Sequence, residues 1–168
     1  MNFLKRIGIV TAVISIITLS GCSQSNIINP SSNSNSIITE LPITKESKYP
    51  FPTAASLLGN GRLIIRTSSG TSEGGNIPIL FVSKDTVLTQ VGIDLLNWEG
   101  NKEVFLYIDK IFIEARQGGM RSQTSLSLVD DFLKPGIYKV SAIQFENNDP
   151  NSKIIGYQEA IFEVKSGS

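Results

Sequence analysis

The chain has 168 residues, 15 basic against 15 acidic, with no histidine and a single cysteine. No basic excess is present to neutralise phosphates, which argues against nucleic acid as a partner. Without histidine, and with the one thiol committed as described next, Ser-His-Asp, Cys-His and His-liganded zinc chemistry are excluded. Carboxylate pairs, Ser-Lys dyads and oxygen-liganded calcium survive that cut, but no cofactor or metal motif is legible.

The N-terminus opens with a short positive region, Lys5-Arg6, followed by an uncharged apolar run from Ile7 to Leu19. A bilayer-spanning helix needs about 20 apolar residues, so this shorter run reads as the hydrophobic part of a secretory signal. Leu19-Ser20-Gly21-Cys22 resembles the lipobox of bacterial lipoproteins. The resemblance implies a diacylglyceryl group on the Cys22 thiol, cleavage just before Cys22, and attachment to the cell membrane with the rest of the chain facing outside the cytoplasm. Residues 1–21 are then signal peptide. Two acyl chains anchor stably where one does not. A disulfide within the chain is excluded, because there is no second cysteine. Lys5 and Arg6 leave with the signal, so the mature chain carries a net charge of −2.

Residues 22–48 form a lipidated tether. The segment is rich in Ser and Asn, contains Pro30 and Pro42, and has no sustained apolar period, which predicts disorder. Its root-mean-square span in the flexible regime is roughly 25–30 Å, enough to lift a domain off the lipid surface.

From Tyr49-Pro50-Phe51-Pro52 onward the composition shifts to short runs of Val, Ile, Thr and aromatics punctuated by turn residues. This predicts an all-β domain over residues 49–168. "TVLTQVGIDLLNW", Thr86 to Trp98, puts Val87, Thr89, Val91, Ile93 and Leu95 on one face, as an antiparallel strand with one face in the core would. In "EVFLYIDKIFIEA" the apolar set changes phase. A two-residue hairpin at Asp109-Lys110 would pair Ile108 with Ile111, Leu106 with Ile113 and Val104 with Ala115. A bulge or bend at the same place is the alternative, and Asp-Lys is a poor fit to a primed turn. "RSQTSLSL" reads as a further strand. The Pro135-Gly136 turn leading into Tyr138 and Val140 resembles the tyrosine corner of immunoglobulin-like sandwiches, which implies a phenol bonded to backbone in the preceding loop. The last strand places Ala160, Phe162 and Val164 inward. About seven short strands fit one immunoglobulin-like antiparallel β-sandwich. The segment from about Arg62 to Lys165 also resembles small lipid-anchored surface proteins of Gram-positive bacteria, a resemblance that supplies no catalytic residue.

Several stretches carry groups that could do chemistry. Asp130-Asp131 could contribute to a calcium site or an acid–base pair, but calcium needs six to eight oxygens from several segments, and a loop-stabilising role is favoured. "FENNDPNSK", Phe145 to Lys153, has the composition of a long hairpin loop. "SSGTSEGGN", Ser68 to Asn76, lacks the ending of a phosphate loop and reads as a flexible connection. Trp98 is assigned to one end of the core. Arg116, Met120 and Arg121, around Gly118-Gly119, form the candidate binding loop: two cations and a soft apolar side chain on an adaptable turn at a sandwich end.

Taken together, the residues predict a non-enzymatic, lipid-anchored binding or structural module on the bacterial surface. Its partners are the membrane, through Cys22, and an envelope protein, peptide or wall polymer. The alternatives are an accessory subunit of an envelope transport machine and a glycan hydrolase working through carboxylates alone, among which Asp94, Asp109, Glu114, Asp130 and Asp131 are the candidates.

Overall fold

The computed structural model describes residues 48–167. The lipobox, Cys22 and the tether lie outside them. Nine strands follow in chain order: β1 (Arg62–Thr67), β2 (Gly70–Thr71), β3 (Ile79–Val82), β4 (Thr89–Leu96), β5 (Glu103–Ile108), β6 (Ile111–Gln117), β7 (Arg121–Leu128), β8 (Gly136–Phe145) and β9 (Ile154–Ser166). They form two sheets, ordered β2-β1-β4-β7 and β3-β9-β8-β5-β6. Every pairing is antiparallel except β3 with β9. The fold is an all-β, immunoglobulin-like sandwich. The expected count of about seven strands misses short β2 and edge strand β3.

Period-two side chains from both sheets meet in the main core. Ile65, Val91, Ile93, Leu95, Leu126 and Leu128 come from one sheet, and Val104, Leu106, Ile108, Val140, Phe162 and Val164 from the other. Trp98 closes one end of this core, as expected. Its indole nitrogen donates to the Arg62 carbonyl at 3.0 Å, and its ring lies so close to Gly61 that a Cβ there would come within 2.7 Å of Cε2.

The tyrosine corner is present. The Tyr138 hydroxyl lies 2.7 Å from the Asp131 carbonyl and 2.8 Å from that of Lys134, and its ring stacks on Phe162 at 5.5 Å.

Three local expectations are corrected. Val87 is 82% exposed and precedes β4; a turn in which the Thr86 amide donates to the Ser83 carbonyl at 3.2 Å delays the strand. Asp109-Lys110 is the sharp hairpin, with positive φ at both residues (46° and 72°) and Ile108 opposite Ile111. The ladder then shifts, so Leu106 faces Glu114 and Val104 faces Arg116. A bulge at Ile113 accounts for the shift, so Ile111, Ile113 and Ala115 do not share a face: Ile111 is 57% exposed, Ile113 joins the main core and Ala115 turns to the other side. The hairpin reading therefore holds at Asp109-Lys110, the bulge or bend expected there as the alternative does not, and the bulge lies instead at Ile113. The Ser68–Asn76 connection is folded rather than loose: the Ser72 amide donates to the Ile65 carbonyl and the Ser72 hydroxyl accepts from the Ile65 amide, both at 2.9 Å, and Arg62 pairs with Glu73 at 3.0 Å.

The outer face of the five-stranded sheet carries a second apolar cluster, Phe105, Tyr107, Ile143, Phe145 and Tyr157. It is covered by the chain leading into the domain, a strap formed by residues 49–55. Tyr49 lies 5.4 Å from Phe105 and 4.6 Å from Phe112 between ring centroids. Phe51 meets Tyr107 edge-on at 5.2 Å. Two backbone hydrogen bonds between Leu58 and Tyr157, 2.9 and 3.0 Å, fix the end of the strap to β9.

Candidate functional site

The strap does not cover the whole outer face. Between it, the Asp109-Lys110 turn and the surface of β8 and β9 lies a cleft of 540 Å³. Its floor is built by side-chain alternation: Lys139 and Ser141 on β8, Tyr157 and Glu159 on β9, all on the side of the sheet away from the main core. Phe51 forms one wall, with the Lys110 ammonium 5.9 Å from the ring centroid, within reach of a cation–π contact.

The polar groups on the floor are fixed to one another. The Tyr157 hydroxyl donates to Glu159 Oε1, and Lys139 Nζ lies 3.0 Å from Glu159 Oε2. Buried Ser141 hydrogen-bonds both Tyr157 and Glu159. Burial alone would raise the pKa of Glu159, but the bonds from Tyr157 and Lys139 and the lysine charge outweigh it and hold the carboxyl below its ordinary value. Burial, reinforced by the bond to Glu159, pushes Tyr157 up to about 12. The turn is tied to the same strand: the Asp109 amide donates to the Lys139 carbonyl at 2.9 Å, and Asp109 Oδ1 accepts from the Lys139 amide at 3.0 Å. With two lysines and two carboxylates, the cleft is formally neutral.

A second cleft of 550 Å³ includes Asp130 and Lys134. Asp131, beside it, pairs with Lys134 at 2.6 Å, and the bond and charge of that lysine hold its carboxyl below the ordinary range. The two aspartates belong to a 3₁₀ turn, Asp130–Leu133, that delivers the Asp131 and Lys134 carbonyls to Tyr138.

The other carboxylates are scattered. Asp94 sits on the outer face of the four-stranded sheet, 3.0 Å from Arg66 and 2.9 Å from the Gln123 amide nitrogen. Glu114 accepts from Arg116 and from Thr124 on β7. Asp109 alone of the five reaches the cleft. In the Phe145–Lys153 loop, Asn148 Oδ1 accepts from the Glu103 amide and Asp149 Oδ1 from the Asn151 amide, both at 2.9 Å, as a turn role requires. Among the described residues no group of three or more His, Cys, Asp or Glu side chains could hold a metal ion.

The candidate loop is less adaptable than its glycines suggest. The Gly118 amide donates to the Lys102 carbonyl at 2.8 Å, and the Asn97 and Trp98 amides bond the Met120 and Gly119 carbonyls at 3.0 Å. A Cβ on Gly118 would meet Gln144 Nε2 at 2.6 Å. Gln144 is itself buried and bonds Glu99 through both ends of its amide, at 2.9 and 3.1 Å. Gly118 is thus required for close approach. Arg116 lies in β6 and forms a two-pronged pair with Glu114 at 2.7 and 2.8 Å, which raises its pKa. Met120, 81% exposed, and exposed Arg121 are what the loop presents outward.

Lys139, Tyr157 and Glu159 were not singled out from sequence. The available signal was alternation in "GYQEAIFEVK", where Tyr157 and Glu159 fall on the face opposite Phe162. Nothing in sequence spacing indicates that Lys139 on β8 joins them.

The sequence matches no family model and no curated protein. Among solved structures, the chain is similar to the CARDB domain of PF1109 from Pyrococcus furiosus, determined in solution, with 13% identity over 65% of this chain and 97% of that one and a TM-score of 0.38.

Proposed function

We propose that this chain is a lipid-anchored, non-catalytic module held outside the cytoplasm through Cys22, with the sandwich as its binding or structural part. The observation that carries the non-catalytic reading is the state of the carboxylates. A glycan-cleaving acid must hold its proton near neutral pH, which requires a raised pKa. Glu159, the carboxylate at the centre of the cleft, and Asp131 are both pushed the other way by lysine partners. Asp94 and Glu114 are bound by Arg66 and Arg116 on separate parts of the surface. Carboxylates paired in this way are suited to binding and orienting a partner.

The anchor reading rests on the lipobox. The tether that precedes Tyr49 would carry the domain, and the strap would be the first folded part above it. The cleft faces a partner on the strap side, while Met120 and Arg121, with Arg116 behind them, offer a second contact at a loop end. Replacing Cys22 by Ala tests the anchor: incorporation of labelled fatty acid should be abolished and the precursor should stay uncleaved. Continued labelling of the Cys22→Ala chain would remove the lipid from that residue. Hydrolysis of a wall glycan that disappears on replacing Asp130 or Asp131 would overturn the non-catalytic reading.

A further inference from the structure

Resting on that reading of the chain as a non-catalytic binding module, the geometry points to a neutral saccharide as the ligand of the cleft between the strap and the Lys139–Glu159 pair. Charge decides first. Lys110 and Lys139 stand against Asp109 and Glu159, so the cleft offers no net field to an anion or a cation. The ion pair at its centre, 3.0 Å long, already satisfies the two charges most able to grip a zwitterion.

The second consideration is what the floor presents. A peptide strand binds by adding to a sheet edge, through backbone amides and carbonyls. Here the floor is the face of β8 and β9, so the groups on offer are a carboxylate, an ammonium and hydroxyls. Ionised Glu159 only accepts hydrogen bonds and the Lys139 ammonium only donates them. A sugar hydroxyl does both, so a ring carrying adjacent hydroxyls can bridge neighbouring donors and acceptors of this kind. Because Tyr157, Ser141 and Lys139 hold the Glu159 carboxylate in place, the polar groups are ordered before a ligand arrives, which lowers the entropic cost of binding. Phe51 adds an apolar wall against which the C–H face of a sugar ring can pack, and 540 Å³ lies within the usual size of small-ligand sites, roughly 300–1,000 Å³.

The test is a calorimetric titration of the full chain, in detergent micelles, with chitotetraose and with cellotetraose. At least one should bind saturably, with an affinity that stays within about twofold between about 0.05 and 0.5 M salt, because a neutral ligand has no ionic attraction to screen. Lys139→Ala and Glu159→Gln should each weaken binding about tenfold, the effect of one lost charge-assisted hydrogen bond. Lys110→Ala, an exposed change that spares the ion pair, should weaken it about threefold, and Gln90→Ala, an exposed change on β4 of the other sheet, should leave it unchanged. Absence of saturable binding by both sugars would overturn the proposal, as would an affinity that collapses with salt or is lost in Gln90→Ala. In those cases the non-catalytic reading stands. Release of new reducing ends during the titration would instead sink the non-catalytic reading while leaving the saccharide site in place.

Discussion

The two sheets differ in what lies on their outer faces. On the four-stranded sheet that face is polar, with Arg66 and Gln123 each bonded to Asp94 across three strands. On the five-stranded sheet it carries Phe105, Tyr107, Ile143, Phe145 and Tyr157 and is roofed by the strap. The difference is written into the strands. β7, "RSQTSLSL", alternates polar with apolar toward its end, as a strand with one wet face must. β5, "EVFLYI", is buried at every position from Val104 to Ile108. A continuous apolar run in an antiparallel sheet means that both faces are covered, and the cover here is the irregular chain of residues 49–55 rather than a third layer.

If the strap is a true second core, breaking it should cost less than breaking the first, but clearly more than a surface change. Phe162, fully buried between the sheets, should lose about 3–5 kcal/mol on replacement by Ala. Phe51→Ala, which removes a half-buried ring packed on Tyr107, should lose about 2 kcal/mol. Denaturant midpoints of the two variants check the order. A Phe51→Ala cost within about 0.5 kcal/mol of zero, the usual range of surface changes, would reduce the strap to a loose covering.

The covered face also holds the one buried side-chain polar atom without a hydrogen-bond partner among the described residues, the Tyr107 hydroxyl. Burial pushes its pKa up to about 12. Leaving such a group unbonded costs about 1–3 kcal/mol, so Tyr107→Phe should stabilise the domain by about 1 kcal/mol or more. The sign of the pH effect follows. The unfolded phenol loses its proton near its ordinary value of 10.0, whereas the folded one keeps it to about 12. Stability contributed by the protonated phenol is therefore intact below pH 10.0 and lost as the pH climbs toward 12. Tyr107→Phe should flatten that decline. A lower midpoint in the variant at neutral pH would mean that the hydroxyl has a partner after all.

Legibility followed the same division. Alternation revealed the inward faces of β4, β8 and β9, and a Pro-Gly turn before x-Tyr-x-Val revealed the corner. Double burial was harder to read, because Tyr49-Pro50-Phe51-Pro52 has no period and is tied to the sheet across a long sequence separation. The phase change after Ile108 had two causes close together, a primed turn and a bulge, and sequence presents them as one event. The rigidity of the Gly118 loop depends on Gln144, on a distant strand. The cleft is assembled from β8, β9, a turn and the strap, so no local pattern of residues announces it.

The finest test of the contrast sets one tyrosine against another. Tyr107 and Tyr138 stand on opposite faces of the same sheet, the first with an unbonded hydroxyl and the second with two carbonyls, of Asp131 and Lys134, within 2.8 Å of its own. A phenol has one proton to donate, so the two carbonyls share it, and the net loss in Tyr138→Phe should be that of a single bond, about 0.5–1.5 kcal/mol. The ring's stacking on Phe162 and its edge contact with Phe132 at 5.9 Å are kept in the variant, which isolates the hydroxyl. Deleting an oxygen should thus raise stability on the strap side and lower it at the corner. The double variant should fall near the sum of the two, because the two rings pack into separate clusters on opposite faces of the sheet. A Tyr138→Phe midpoint indistinguishable from that of the parent would show that the Asp130–Leu133 turn holds its shape without the phenol, and would leave the stacking on Phe162 as the reason for a tyrosine at this position.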